Sequence, residues 1–156
     1  MRVRIPPPLL ALAAAVLMWW LDRKIPVVRM VVAPWNRMGW VFVGVGFGVD
    51  AVSILSFLRA KTTVNPIRVE RTTRLVVTGF YRFSRNPMYL GLLLVLCGWA
   101  VLLGSLMPFV VVLAVERLLV VLQIRREEAA LAAKFGDEYI EYTRRVRRWV
   151  GSVGKS

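Results

Sequence analysis

The sequence contains no histidine, a single cysteine and few acidic residues. The lack of histidine excludes a Ser-His-Asp or Cys-His catalytic pair, an imidazole general base, and the usual zinc and haem ligand sets. The single cysteine, Cys97, excludes disulfides within the chain and cysteine-cluster metal sites, so no metal site is expected. Because Cys97 stands alone in an apolar run, we expect it to be a packing residue.

The charge and the apolar content are both far from those of a soluble domain. The chain has 22 Lys and Arg against 9 Asp and Glu, a net charge of +13, and 58% of its residues are hydrophobic while 20% are charged. A soluble domain is roughly 45–50% apolar and about 25% charged. Basic residues that flank apolar runs indicate membrane topology and anionic headgroups rather than nucleic acid. The composition predicts a single membrane domain over residues 1–156.

Four apolar stretches reach or approach the length of about 20 residues that a membrane-spanning helix needs. They are residues 7–21, 38–58, 87–103 and 106–124. The expected fold class is therefore all-α: an integral membrane helical bundle of about four transmembrane helices, followed by cytoplasmic C-terminal helices over 125–149. The first stretch has the basic start of a signal peptide. However, it ends in Trp19 and Trp20, which suit a membrane interface better than a cleavage site, so we expect a retained helix.

The distribution of basic residues predicts the orientation. With both termini in the cytoplasm, 17 of the 22 Lys and Arg residues lie on that side. The opposite loop holds four, namely Arg23, Lys24, Arg29 and Arg37. The positive-inside rule therefore favours cytoplasmic termini, and a prokaryotic plasma membrane is the expected location. The sequence leaves the oligomeric state open.

The segment 61–86 between the second and third spans is rich in Thr and Val and is broken by Pro66 and Gly79. It is expected to be extended chain rather than helix. It ends at Asn86-Pro87, which predicts a helix with Asn86 as its N-cap and Pro87 at its first position. The positive end of that helix, beside Arg82 and Arg85, could hold a carboxylate or phosphate, although the two arginines could equally serve only to fix topology.

Three ionisable residues, Asp50, Glu116 and Arg117, fall within predicted spans, where charges are costly. Adjacent helical residues do not face each other, so Glu116 and Arg117 are not expected to pair, and Asp50 with Arg117 is one candidate pair. At 100° per residue, Glu116 and Glu127 share one helix face, and Arg117 and Glu128 share a neighbouring one. These charges could form a buried network that stabilises the bundle, or they could belong to a site.

The last helices are set by local signals. Gly136 is expected to end one helix and Asp137 to cap the next, which places Tyr139, Tyr142 and Val146 on one side. This last helix is expected to lie on anionic lipid, although its tyrosines could equally cover a pocket mouth. Within the second span, a small-residue helix contact is expected at Gly44 and Gly48 in preference to a nucleotide-binding loop, which would need a preceding strand.

Three motifs carry a family resemblance, and they follow one another over residues 60–149. They are Thr63-Val-Asn-Pro, then Leu75-Val-Val-Thr-Gly-Phe-Tyr-Arg-Phe-Ser-Arg-Asn-Pro-Met-Tyr-Leu-Gly, then Arg126-Glu-Glu-Ala-Ala-Leu-Ala-Ala-Lys-Phe-Gly-Asp-Glu-Tyr-Ile-Glu-Tyr. In order and spacing they resemble the isoprenylcysteine carboxyl methyltransferase and phospholipid methyltransferase family. The isoprenylcysteine enzymes commonly carry Arg-His-Pro where this chain has Arg85-Asn86-Pro87, so the chain looks closer to the phospholipid branch.

The resemblance implies an integral membrane methyltransferase that uses S-adenosylmethionine at the cytoplasmic side. It implies that the cofactor-binding residues are Gly79, Tyr81, Arg85, Asn86, Pro87, Tyr89, Glu127, Glu128, Tyr139 and Tyr142. The expected catalytic residues are Glu127, Glu128 and Arg85. An acidic group suits the cofactor amine or ribose, and Arg85 with the helix start suits its carboxylate.

The acceptor stays open at this point. A lipid-like or small apolar acceptor, entering from the bilayer, could offer an isoprenylcysteine-like carboxylate, a phospholipid amine or a thiol. A carboxylate or thiolate needs no general base, whereas an amine must lose a proton, for which Glu127 or Glu128 is available. The alternatives are a nicotinamide-dependent membrane reductase of related fold and a non-enzymatic membrane scaffold.

Overall fold

The computed structural model describes residues 6–25, 28–59 and 75–151. These residues form six α-helices: α1 (Pro7–Lys24), α2 (Gly39–Arg59), α3 (Pro87–Leu103), α4 (Leu106–Leu119), α5 (Arg125–Phe135) and α6 (Asp137–Arg145). Trp35–Met38 and Gly79–Arg82 are 3-10 turns, and Val120–Ile124 is a π-helical segment. In the described ranges the extended pairing is confined to isolated bridge positions, at Arg29 with Ser105 and at Val146. The all-α prediction is confirmed for these residues.

Two stretches are long and apolar enough to cross a membrane, Trp35–Arg59 and Leu106–Phe135. Helix α3 is apolar but has only 17 residues. Helix α1 ends with Asp22, Arg23 and Lys24, which shorten its apolar part. The arrangement of four spans therefore stays a prediction, with two of its helices meeting the criterion of length and composition.

The described residues divide into two compact units. The first takes its residues from Met1–Gly48 and Gly91–Leu119, and the second from Val49–Leu90 and Val120–Ser156. That both belong to one membrane domain stays a prediction. Each unit is described below by itself.

In the first unit, the chain after α1 satisfies the C-terminal end of α3. The backbone amides of Met30 and Val31 donate to the Gly104 carbonyl at 2.8 and 3.0 Å, and Arg29 Nη1 donates to the Leu103 carbonyl at 2.8 Å. Gly104 makes the turn into α4 with φ +80°, which glycine adopts readily. A helix leaves its last carbonyls without partners, and Arg29 supplies one for α3. Arg29 therefore has a structural role, in the loop that the charge count predicts to lie opposite the cytoplasm.

Glycines bring α2 and α3 close together within the first unit. A Cβ on Gly46 would meet the Gly91 carbonyl and Val95, and one on Gly39 would meet the Gly98 carbonyl and Leu102. Gly44 and Gly48 have open space where a Cβ would lie. The predicted helix contact at Gly44 and Gly48 is therefore wrong, because the glycines that face α3 are seven residues apart, at 39 and 46.

The second unit contains the end of α2, the segment before α3, and α5 with α6. The Thr63-Val-Asn-Pro motif and Pro66 lie outside the described residues. The prediction of extended chain is wrong for Gly79–Arg82, which forms a 3-10 turn. Helix α3 begins at Pro87, as predicted. Gly136, with φ +52°, separates α5 from α6, but Asp137 is already helical and Gly136 takes the cap position that was predicted for Asp137.

Candidate functional site

The turn before α3 is fixed by a glycine and a buried tyrosine. Gly79 has φ +62°, and a Cβ there would collide with the Ser56 hydroxyl of α2, so the position requires glycine. Tyr81 is buried, and its ring packs edge-on against Phe57, with the ring centroids 5.3 Å apart and the planes at 85°. The turn is therefore packed onto the last part of α2.

The chain after α6 docks along the segment 83–86. The Gly151 amide donates to the Phe83 carbonyl at 2.9 Å, and the Arg85 amide donates to the Arg147 carbonyl at 3.1 Å. The Arg148 carbonyl accepts bonds from Asn86 Nδ2 at 3.2 Å and from Ser84 Oγ at 3.3 Å. The Asn86 side chain thus holds the C-terminal segment beside the start of α3.

Two arginines hold the Glu128 carboxylate. Arg148 donates from Nε to Oε1 at 3.0 Å and from Nη2 to Oε2 at 2.7 Å, a bidentate pair, and Arg85 Nη1 lies 3.2 Å from Oε1. The Glu128 and Arg85 side chains are 17% and 16% exposed, so the pairs are largely shielded from solvent. Arg85 Nε is buried and has no hydrogen-bond partner among the described residues. Glu128 is therefore neutralised within the protein, while Arg85 keeps a donor available.

Glu127 has a different partner from its neighbour. Tyr89, in the first turn of α3, donates its hydroxyl to Glu127 Oε1 at 2.5 Å, and the Tyr89 side chain is buried. A hydroxyl that donates to a carboxylate forms a short, charge-assisted bond. The two adjacent glutamates of α5 are thus held by different residues: Glu127 by the start of α3, and Glu128 by two arginines.

Tyrosines cover the inner side of α6. Tyr139, Tyr142 and Val146 form a buried cluster, against which Leu75, Leu131, Ala132 and Phe135 pack. Tyr142 donates its hydroxyl to the Tyr81 carbonyl at 2.6 Å. This tyrosine face packs on protein, and the expectation that α6 lies on anionic lipid stays a prediction.

Burial keeps the site's phenols neutral. It raises the pKa of Tyr142 well above its ordinary value, and the nearby Tyr139 adds to this effect. It also raises the pKa of Tyr139, with the Glu128 charge in support and the Arg85 charge opposing. Both groups are therefore protonated hydrogen-bond donors at neutral pH.

The structure brings the predicted site residues together in the second unit. They are Gly79, Tyr81, Arg85, Asn86, Pro87, Tyr89, Glu127, Glu128, Tyr139 and Tyr142. Pro87 is fully buried and acts as the first residue of α3, while Asn86 is engaged by the C-terminal segment. Sequence reasoning missed Arg148, which lies 20 residues from Glu128, because its bidentate geometry depends on the fold.

The charges within the apolar helices behave differently from the prediction. Arg117 Nε lies 3.4 Å from Glu116 Oε2, so the expectation that these neighbours would not pair is wrong, and Glu116 takes the place proposed for Asp50. The shared face predicted for Glu116 and Glu127 assumed an uninterrupted α-helix. The π-helical segment Val120–Ile124 lies between them and changes the angle per residue. Asp50 Oδ1 is buried without a hydrogen-bond partner among the described residues.

A comparison with protein families decides the affiliation. The model of the phospholipid methyltransferase family matches residues 35–138, about two thirds of the chain. The chain belongs to the phospholipid methyltransferase family. The match runs from the turn before α2 to the first residues of α6, and so includes Arg85, Tyr89 and both glutamates, while Arg148 lies beyond it.

One curated relative is itself without an assigned activity. It is an uncharacterized protein of Haemophilus influenzae, 44% identical over 63 residues, which are 40% of this chain and the whole of the relative. No solved structure matches the chain. The family is one of methyltransferases, and the geometry of the second unit is the basis for proposing what this chain binds.

Proposed function

We propose that the protein is an integral membrane methyltransferase that transfers a methyl group from S-adenosylmethionine to a lipid-like or small apolar acceptor. The observation that carries this proposal is the joint placement of Arg85, Glu127 and Glu128 at the start of α3, within the segment matched by the family. The family supports methyl transfer as the reaction. The case for S-adenosylmethionine as the methyl donor depends on the geometry of these side chains.

The chemistry of these side chains fits S-adenosylmethionine. This donor carries a carboxylate, an ammonium group, a sulfonium and ribose hydroxyls. The buried Nε of Arg85 is a donor without a partner among the described residues, which suits a carboxylate at the positive end of α3. Glu127 supplies a carboxylate whose charge suits the ammonium group or the ribose hydroxyls.

The residues divide the work as follows. When bound, the donor supplies a methyl group that is activated by a positively charged sulfur. Arg85 orients the donor carboxylate, and Glu128 with Arg148 keeps the Arg85 guanidinium in place. Glu127, fixed by Tyr89, positions the polar part of the donor. Burial of Tyr81, Tyr139 and Tyr142 excludes water from this region, which favours direct displacement.

The membrane placement is part of the proposal. In the first unit, large exposed aromatic side chains lie near the end of α1 and the start of α2: Trp19, Trp20, Trp35 and Trp40. Tryptophan favours the membrane-water interface. This supports a membrane interface near the end of α1 and the start of α2. The four-span arrangement with cytoplasmic termini is proposed from the apolar runs and the charge distribution, with a prokaryotic plasma membrane as the location.

Calorimetric titration of the detergent-purified protein tests the donor site. We expect S-adenosylmethionine and its demethylated product to bind at micromolar concentration, and Glu127→Gln and Arg85→Ala to weaken binding at least about tenfold. Glu116→Gln is the matched control, because Glu116 lies in the other unit. If the protein bound NADPH but neither S-adenosylmethionine nor its demethylated product, a reductase function would replace this proposal. A folded protein that binds none of the three would indicate a scaffold.

A further inference from the structure

Asp50 is an acidic residue in the middle of an apolar helix. It lies nine residues before Arg59, the last residue of α2, or about 14 Å along the helix axis at 1.5 Å per residue. The Trp35–Arg59 stretch is one of the two long enough to cross a membrane. An ionisable group at such a depth is costly, and it commonly marks a binding site or a proton path.

The polar neighbours of Asp50 on its own helix are satisfied, whereas Asp50 is not. Ser53 Oγ donates to the Val49 carbonyl at 2.6 Å, and Ser56 Oγ donates to the Val52 carbonyl at 2.9 Å. Asp50 Oδ1, by contrast, is buried and has no hydrogen-bond partner among the described residues. An acceptor that is buried in this way loses its hydration without replacement, so a ligand that donates a hydrogen bond would stabilise it.

Asp50 lies on the side of α2 that meets the candidate site. Asp50, Ser53 and Phe57 follow a helical spacing of three and four residues, and Phe57 packs on Tyr81. Burial raises the pKa of Tyr81 far above its ordinary value, and electrostatic interactions with Tyr142, Glu127 and Asp50 raise it further. Asp50 is therefore within electrostatic reach of the residues proposed to hold the donor, and all of them belong to the second unit.

Two cations among the described residues of the candidate site are held by another acid. Arg85 and Arg148 both pair with Glu128. A carboxylate near an apolar span that lacks such a partner attracts a cation or a proton. It would repel an acceptor carboxylate. Among the acceptor classes left open by the sequence, an amine is the one whose charge complements Asp50.

We propose that Asp50 is a catalytic residue that binds the ammonium group of an amphiphilic amine acceptor and takes its proton. This inference rests on the proposed function for its methyl-transfer step, while the amine site itself does not depend on it. It assigns the general-base role to Asp50 rather than to Glu127 or Glu128, which are held by Tyr89 and by two arginines.

The step balances as follows. A proton moves from the acceptor ammonium to the Asp50 carboxylate and leaves a neutral amine with a free electron pair. That pair forms the new nitrogen-carbon bond to the methyl group of the sulfonium donor. The sulfur-carbon bond breaks and its electrons stay on sulfur, which becomes a neutral thioether. The product is a methylated ammonium, and the proton on Asp50 returns to water.

Amine binding in the absence of the donor tests the inference. Dodecylamine, which is protonated at neutral pH, and uncharged dodecanol are titrated into the protein in a non-ionic detergent, and binding is followed by tryptophan fluorescence. We expect the wild type to prefer dodecylamine, and Asp50→Asn to weaken dodecylamine binding at least about 30-fold without changing dodecanol binding. Asp50→Glu keeps the charge and is expected to retain the preference. Glu116→Gln, which removes another acid from an apolar helix, is expected to stay within about twofold of the wild type.

Binding of the demethylated donor product is measured on the same samples. If Asp50→Asn keeps this binding and loses the preference for the amine, the inference is supported. If Asp50→Asn binds dodecylamine as tightly as the wild type, or if the wild type does not distinguish dodecylamine from dodecanol, the inference is overturned. A wild type that prefers the amine but does not bind the donor product would instead overturn the proposed function and leave the amine site standing.

Discussion

At the scale of single residues, the two adjacent glutamates of α5 have separate roles because they have separate partners. Glu128 is bound by two arginines, and Glu127 accepts the Tyr89 hydroxyl. The sequence indicated both glutamates as site residues but could not rank them. Their partners come from residues 85, 89 and 148, which only the fold brings together.

Arg148 is predicted to be a positioning residue for Glu128. Arg148→Ala should weaken binding of the donor product about tenfold, because Glu128 would lose its bidentate partner and would draw Arg85 away from the donor. Arg148→Lys keeps the charge without the fork geometry and should have an intermediate effect. Arg147→Ala is the matched control, since Arg147 is exposed. Equal dissociation constants for Arg148→Ala and Arg147→Ala, measured by calorimetry, would contradict this role.

The Tyr89 hydroxyl is predicted to act through Glu127. Tyr89→Phe preserves the ring and removes a 2.5 Å hydrogen bond to a carboxylate, which should weaken donor binding about tenfold. A double-mutant cycle with Glu127→Gln checks the coupling. The double variant should bind no more weakly than the weaker of the two single variants. Fully additive losses would show that the two residues act independently.

At the scale of helices, the apolar runs predicted well where each helix lies along the chain. They predicted poorly which face of a helix contacts its neighbour. The predicted ranges 7–21, 38–58 and 87–103 agree with α1, α2 and α3 to within a few residues, because hydrophobic length and the Asn86-Pro87 signal are local properties. The π-helical segment Val120–Ile124 has no equally clear local signal, so the face shared by Glu116 and Glu127, which was derived for an uninterrupted α-helix, stays a prediction. The contacting glycines were also misassigned, because the partner helix decides which face is covered.

A pair of glycine substitutions in α2 tests the helix contact. Gly46→Ala should lower the free energy of unfolding by about 1–3 kcal/mol, because a Cβ there meets the Gly91 carbonyl and Val95. Gly48→Ala has open space and should be neutral or raise stability by up to about 1 kcal/mol, since alanine favours helix. Thermal unfolding in detergent, followed by circular dichroism, measures both. A Gly46→Ala variant as stable as Gly48→Ala would contradict the close approach of α2 and α3.

At the scale of the whole molecule, the chain is basic and strongly apolar, and it belongs to a family of methyltransferases. The family match over residues 35–138 includes both stretches that are long enough to cross a membrane, Trp35–Arg59 and Leu106–Phe135. The candidate donor residues lie in the second unit, and so does Asp50. The sequence indicated the family and most of the site residues through motifs. It did not indicate Arg148 or the unsatisfied state of Asp50, because both depend on contacts between distant parts of the chain.

The most direct test of the account is methyl transfer in a membrane. The purified protein is reconstituted into lipid vesicles that contain dodecylamine, and S-adenosylmethionine with a tritium-labelled methyl group is added. The account predicts that tritium appears in the organic-soluble amine with the wild type and with Glu116→Gln, and that Glu127→Gln lowers the rate at least about tenfold. A folded wild-type protein that binds the donor and the amine but transfers no label would contradict the central claim.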